Sequence, residues 1–405
     1  MSARKILIIT NRVPYPLNDG GNLATQAMID GYKVSGWDVY LLVMNTSKHF
    51  IRHNVLEALY KDIHKFDWMD INNDIKATGI IKNYLFSEEA EHVARFYNSD
   101  CENKIISALN EFKPDVVQIE SVYLTTYMPA IKSNSKAISV LRMHNIEYHI
   151  WHSLANKSRN ILKKNYLTNL TKRLKRFERD AWKQYDIVLA ITEKDAAHVR
   201  KLENIPGLLV APFSMDTSKI KVSDAEQKWV GYHIGAMDWI PNREGVKWFL
   251  TEAWPRIHKA APKFEFFFAG RKMPSEFMQM NIEGVHCLAE VDNAADFIAD
   301  KKILIVPISS AGGIRVKILE AMAAGKIVIS TPFGIKGIEA KMGEHYLTAN
   351  TPDDFMRAIK WCLKNKPEAE QIAVNARELV TRKYDYKKVI KDIIEEIDAQ
   401  MKLRL

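Results

Sequence analysis

Short apolar runs rich in Ile, Val and Phe alternate with helix-length stretches along this chain, and the pattern occurs twice. Such runs, bounded by Gly and Pro, suit strands buried on both faces. Strands that alternate with helices suit βα units around a parallel sheet. In the first half the strand candidates are KILIIT (5–10), WDVYLLVM (37–44), PDVVQIES (114–121), AISVLRMH (137–144), DIVLAIT (186–192) and GLLVAPF (207–213). After the first of them, ATQAMIDGYKVSG reads as a helix ending near Gly36. In the second half they are WVGYHIGAM (229–237), FEFFFAGR (264–271), GVHCLAE (284–290), KKILIVPI (301–308) and KIVIST (326–331). The stretch 214–228 is polar and has no apolar period, as a linker would be. The expected architecture is α/β: two doubly wound parallel-sheet domains, 1–213 and 229–385, joined by the linker 214–228 and closed by an amphipathic helix, 386–405. Ligands of such sheets bind at the carboxyl ends of the strands, which leads us to expect a site in a central cleft faced by both domains.

Composition removes several classes. A chain of 405 residues, 47% hydrophobic and 26% charged, is an ordinary globular protein of two or three domains. Three widely spaced cysteines, Cys101, Cys287 and Cys362, build neither a disulfide framework nor a zinc site, which favours a reducing compartment. No apolar stretch approaches the ~18 residues of a membrane span. The expected setting is cytoplasmic, soluble or peripheral at the inner face of a membrane. The net charge of +9 is concentrated: residues 140–185 hold eleven Lys and Arg against three Asp and Glu. There Leu167, Leu170, Leu174, Phe177 and Ala181 form one helical stripe with lysines and arginines around it. It reads as a packed helix with a solvated basic face. The sharper alternative is attraction of segment 157–183 to anionic lipid or to a diphosphate-linked acceptor. Nucleic acid is disfavoured, since the segment is expected to lack exposed aromatics for stacking and shows no known module.

The stretch SSAGGIRVKILEAMAAGKIVIST (309–331) carries the most chemistry. Its loop follows a strand and opens a helix. Gly312 and Gly313 leave backbone N–H groups, with that of Ile314, free to approach a ligand. The helix start adds about half a positive charge, and Arg315 and Lys317 add two full ones. An anion of high charge density, most simply a diphosphate, suits this place. Glu320, further along the helix, suits the paired hydroxyls of a ribose. Elsewhere, His144 ends the strand AISVLRMH, Glu120 ends VVQIE, Gly20 and Gly21 precede the first helix, and Arg271 follows FFFAG as a further phosphate candidate. No G-x-G-x-x-G is present, which disfavours a nicotinamide oxidoreductase.

Here the chain resembles the retaining GT-B glycosyltransferases of family four (glycosyl transferases group 1). Their donor helix carries Glu-x7-Glu followed by Ala-Met-Ala-x-Gly. Glu320, Ala321, Met322, Ala323 and Gly325 match its second half. The K-I-L-I strand with its Gly-Gly loop, the G-x-x-x-W-x-P-N run from Gly235 to Asn242, and F-x-G-R from Phe268 to Arg271 also match. One departure stands out: the first Glu falls on Gly312. The resemblance implies two Rossmann-like domains and a nucleotide-diphosphate sugar donor bound without a metal or other cofactor. It assigns Gly235, Arg271, Val291, Gly312, Gly313, Ile314 and Glu320 to the nucleotide, with Val291 meeting the base through its backbone. It assigns Gly20 and Gly21 to the donor across the cleft, and His144 to the donor sugar. Arg315 and Lys317 would neutralise the leaving diphosphate. The implied activity is retaining transfer of a sugar to a glycan, lipid-linked or other acceptor, as in surface-polysaccharide assembly. The alternatives are a nucleotide-sugar epimerase or hydrolase of the same fold, or a non-catalytic nucleotide-sugar-binding protein.

Overall fold

The computed structural model describes residues 3–17, 20–72, 91–223, 226–310 and 314–404. The chain forms two compact units: residues Met1–Ser214 with Tyr386–Leu405, and Met215–Asp385.

In the first unit, seven parallel strands lie in the order β3-β2-β1-β4-β5-β6-β7. They are β1 (Lys5–Thr10), β2 (Asp38–Thr46), β3 (Lys65–Ile71), β4 (Val116–Glu120), β5 (Ile138–Arg142), β6 (Ile187–Ala190) and β7 (Gly207–Val210). Side chains alternate between two cores, as the strand period requires. Leu7, Ile9, Val117 and Ile119 join one cluster, while Ile6, Ile8, Val116 and Val140 join the other. Helix Gly20–Val34 returns the chain from β1 to β2. Gly36 follows it at φ +79°, a left-handed position that glycine adopts without strain. The closing helix Tyr386–Leu403 buries Val389, Ile390, Ile393 and Ile397 in the second cluster. Ile390 lies against Gly31, where a Cβ would come within 3.0 Å of it.

The second unit holds six parallel strands in the order β10-β9-β8-β11-β12-β13. They are β8 (Lys228–Ile234), β9 (Phe266–Ala269), β10 (Val285–Cys287), β11 (Lys301–Val306), β12 (Ile327–Ser330) and β13 (Leu347–Thr348). Phe266, Phe268, Ile303, Ile305, Ile327 and Ile329 fill one core beneath it. Residues 215–223 do not stand apart from this unit: the Met215 N–H donates to Tyr384 O at 2.9 Å, and Thr217 bonds Asp385.

Both sheets therefore have the doubly wound order, with strand sequence reversing between β1 and β4 and between β8 and β11. Strands such as β5, β8 and β11 are shorter than the apolar runs that predict them, because the loops at their carboxyl ends stay buried, as at Met143, Met237 and Ile308. Edge strands β3 and β13 have no counterpart in the sequence reading. Among the described residues, no helix is long and apolar enough to cross a membrane.

Candidate functional site

At the reversal point of the second sheet a polar cluster is built around one amine. Lys317 lies in the first turn of helix Val316–Ala323, which follows β11. Its Nζ donates to Asn242 Oδ1 at 2.8 Å and stands 3.2 Å from His233 Nε2. His233 belongs to β8 and is fully buried. Its Nδ1 lies 2.8 Å from the carbonyl of Ile305 on neighbouring β11. That carbonyl can only accept, so Nδ1 carries the proton and Nε2 presents a lone pair to the ammonium. Asn242 is oriented in the same way, since Nδ2 donates to Ala236 O at 2.9 Å. It sits in the first turn of helix Ile240–Trp248, where Pro241 suits the start. At Gly235 a Cβ would fall 2.6 Å from Lys317 Nζ and 2.6 Å from Asn242 Nδ2, so a side chain there would displace the amine or the amide from this arrangement. Burial pushes Lys317 down to about 7, with Glu320 opposing the shift and Arg315 adding to it. Burial and the Lys317 charge hold His233 neutral, well below its usual range.

Glu320 follows on the same helix. Its side chain is accessible to solvent, yet crowding by protein raises its carboxyl above the usual range while Lys317 pulls it down. Among the described residues its carboxylate has no hydrogen-bond or ion-pair partner.

Arg315 lies differently from the sequence expectation. It is 4% exposed and caps the same helix. Nε donates to Gly334 O at 2.8 Å and Nη2 to Lys336 O at 2.6 Å. Instead of pointing at a ligand with its whole fork, it ties the helix start to the loop after β12. Ile314 packs nearby, with its Cγ1 3.1 Å from where a Cβ of Gly337 would be. Gly312 and Gly313 lie outside the described residues.

The loops after β8, β9 and β10 are laced together at the same carboxyl edge. The Met237 N–H donates to Arg271 O at 3.0 Å, and Gly270 N–H to Ala289 O at 2.7 Å. The Arg271 side chain is exposed, and Val291 follows two residues after Ala289, half-buried. The structure thus gathers Gly235 and Lys317 directly. It sets Glu320 on the helix of Lys317 and Arg271 and Val291 on adjoining loops. A separate cavity of about 980 Å³, lined by Lys302, Gly325 and His345 among others, opens at the amino ends of β11 and β12. That is the end of the sheet where such folds do not place ligands.

The first unit has its own cluster at the β1/β4 reversal, centred on the buried Glu120. It accepts from Gln118 Nε2 at 2.5 Å, Arg142 Nη1 at 2.9 Å, His144 Nε2 at 3.1 Å and Thr25 Oγ1 at 3.2 Å. Burial alone would raise this carboxyl; Arg142, His144 and Gln118 outweigh it and hold Glu120 at about 2. His144 is therefore anchored through one ring nitrogen and remains 29% exposed. Gly20 and Gly21 are the first residues of helix Gly20–Val34 and not a loop before it. Thr25, on that helix, links it to Glu120. Nearby, buried Glu178 accepts the Glu147 and Tyr148 amides at 2.9 Å each, closing the start of helix Glu147–Lys157.

Several members of these clusters escape sequence reasoning: His233, Gln118, Arg142, Glu178 and the role of Asn242. The only signals are a polar residue inside an apolar strand, as in WVGYHIG, and the Asn that closes W-x-P-N. In the basic segment, Leu167, Leu170, Leu174 and Ala181 join the first core, so the stripe is a packing face. Ile161 and Leu162, at the start of helix Ile161–Trp182, are 74% and 81% exposed. Among the described residues, no group of three or more His, Cys, Asp or Glu side chains is arranged to hold a metal ion.

Comparison with solved structures extends the match to the whole chain. HepE of Anabaena, solved in complex with UDP, superposes with a TM-score of 0.65 at 13% identity, over 98% of this chain and 100% of that one. Sucrose-phosphate synthase from Thermosynechococcus elongatus gives 0.64 at 13% identity, over 99% and 100%. The fold is GT-B. Residues 229–365, most of the second GT-B unit, match the family model of glycosyl transferases group 1. A protein of Klebsiella pneumoniae, described as an uncharacterized 44.6 kDa protein in the cps region, is 25% identical over 415 residues, covering 97% of this chain and 99% of its own length.

Proposed function

We propose that this GT-B protein is a glycosyltransferase that uses a nucleotide-diphosphate sugar as donor. One observation carries the proposal: the Lys317 ammonium is held between two neutral acceptors at a helix start, beside an accessible carboxylate, at the sheet's reversal point. Diphosphate meets Lys317 and the amides of the helix start, and the ribose hydroxyls meet Glu320. Arg271 adds charge from the neighbouring loop, and the base lies by Val291. Arg315 braces the 331–337 loop and adds long-range positive potential. The match of residues 229–365 to group 1 glycosyl transferases supports this assignment, as do the HepE complexes with UDP and with UDP-glucose.

In the proposed reaction the bond from the anomeric carbon to the diphosphate breaks. Lys317 and the helix dipole stabilise the departing charge, so no metal is required. The acceptor hydroxyl attacks from the same face, its proton passes to the leaving phosphate oxygen, and configuration is retained. We assign His144, Gly20 and Gly21 to the sugar end of the donor, on the resemblance and on the anchoring of His144 by Glu120. The acceptor is a glycan or lipid-linked molecule of surface-polysaccharide assembly, a setting supported by the cps-region relative. The exposed Ile161 and Leu162 beside Lys163 and Lys164 favour peripheral attachment to anionic membrane.

Product analysis tests the assignment. Nucleotide sugars are incubated with the protein, with and without a lipid-linked acceptor fraction and with EDTA. Nucleotide released only with acceptor, insensitive to EDTA, and a product of unchanged anomeric configuration are the expected results. Turnover without acceptor would instead mark an epimerase or hydrolase, and binding without turnover a sensor.

A further inference from the structure

Both hydrogen-bond partners of the Lys317 ammonium, His233 and Asn242, are uncharged, and both are fixed before any ligand arrives. The Ile305 carbonyl sets the tautomer of His233, and the Ala236 carbonyl sets the amide of Asn242. An amine held by a carboxylate is neutralised where it sits. One held by an imidazole lone pair and an amide oxygen has its direction fixed with no opposite charge in the contact. Two N–H groups are engaged in this way, at 3.2 and 2.8 Å, which leaves the third for a ligand. The charged groups acting on Lys317 are Glu320 and Arg315, from its own helix. From β8 it meets the neutral His233, and from helix Ile240–Trp248 the neutral Asn242.

Building on the donor assignment above, we propose that His233 is a positioning residue for the donor diphosphate: its bare Nε2 aims the Lys317 ammonium while leaving that charge uncompensated. His233 touches no substrate and acts only through Lys317. Burial pushes Lys317 down to about 7, and a bound anion opposes that shift by favouring the protonated form. Affinity is full below that pH and falls as pH rises through it. Removing the acceptor destabilises the ammonium and moves this fall to lower pH.

The test is calorimetric titration of the full chain with UDP-glucose, ADP-glucose and GDP-mannose between pH 6 and 8.5. The tightest ligand is then carried to His233→Leu and His233→Gln. Leucine removes the acceptor. Glutamine restores one and also supplies a donor for the Ile305 carbonyl. The expected result is that His233→Leu weakens binding about tenfold and moves the pH midpoint down. His233→Gln is expected to stay within about threefold of wild type with the midpoint unmoved. A purely structural role would lower the melting temperature without moving the midpoint, and that result overturns the proposal. Wild-type affinity and pH profile in His233→Leu overturn it as well, while leaving the donor assignment intact. Absence of binding by the wild type to all three ligands overturns both. Where His233→Leu does not fold, His233→Gln decides: a folded variant with binding lowered more than tenfold is the contrary result.

Discussion

Glu120→Ala is expected to be among the most destabilising single changes in the first unit. The carboxylate is buried and satisfies four donors, from Thr25, Gln118, Arg142 and His144. Its removal leaves the buried Arg142 guanidinium, whose Nε has no hydrogen-bond partner among the described residues, without the counter-charge of Glu120. Breaking a buried ion pair from one side costs about 3–5 kcal/mol. The depressed carboxyl of Glu120 points the same way. Its folded value of about 2 against an ordinary 4.5 corresponds to roughly 3 kcal/mol at ~1.4 kcal/mol per pH unit. The folded value is depressed, so this stability is present above pH 4.5 and is lost as pH falls toward 2. Urea unfolding followed by tryptophan fluorescence at pH 7 and at acid pH reads both effects. Glu120→Ala should lose about 3–5 kcal/mol at pH 7 and show a shallower acid dependence than wild type. Glu120→Gln, which keeps the shape, should lose about 1.5–3 kcal/mol. A Glu120→Ala protein within about 0.5 kcal/mol of wild type, with the same acid slope, would refute the claim that this carboxylate holds the cluster together.

Arg315→Met should loosen the 331–337 loop. Hydrogen exchange of its amides is expected to speed up, while nucleotide affinity falls less than in Lys317→Ala; the reverse order of affinities would return Arg315 to the phosphate. Ile390→Ala, in the closing helix, should cost about 2–4 kcal/mol in urea unfolding, as for other buried truncations; a loss below about 1 kcal/mol would mean that the helix is only loosely docked. Binding to anionic liposomes should fall with salt and with Ile161→Ser/Leu162→Ser, and equal binding to neutral liposomes would contradict a membrane role.

The fold was largely legible because buried parallel strands are nearly unbroken apolar runs. KILIIT coincides with β1 end to end. Strand β3, KFDWMDI, mixes polar and apolar residues at a sheet edge and is no unbroken apolar run, and two-residue β13 is too short to leave a pattern. Within the site, Lys317 and Glu320 could be placed because a glycine loop, a strand end and a helix start are local features. The turn of Arg315 toward Gly334 and Lys336 could not, since its partners come from a loop beyond the next strand. His233 was hidden for a related reason. A single imidazole in a strand acquires meaning only from its neighbours, here an adjacent strand and a helix many residues away.

The most direct measurement is calorimetric binding of UDP-, GDP- and ADP-sugars to wild type and to Lys317→Ala, each with and without magnesium. The account predicts that one nucleotide family binds independently of metal and that Lys317→Ala weakens it about 10- to 100-fold, the scale of a charge-assisted contact. Equal affinity in the variant, or no binding to any of the three by the wild type, would contradict a donor site built around Lys317.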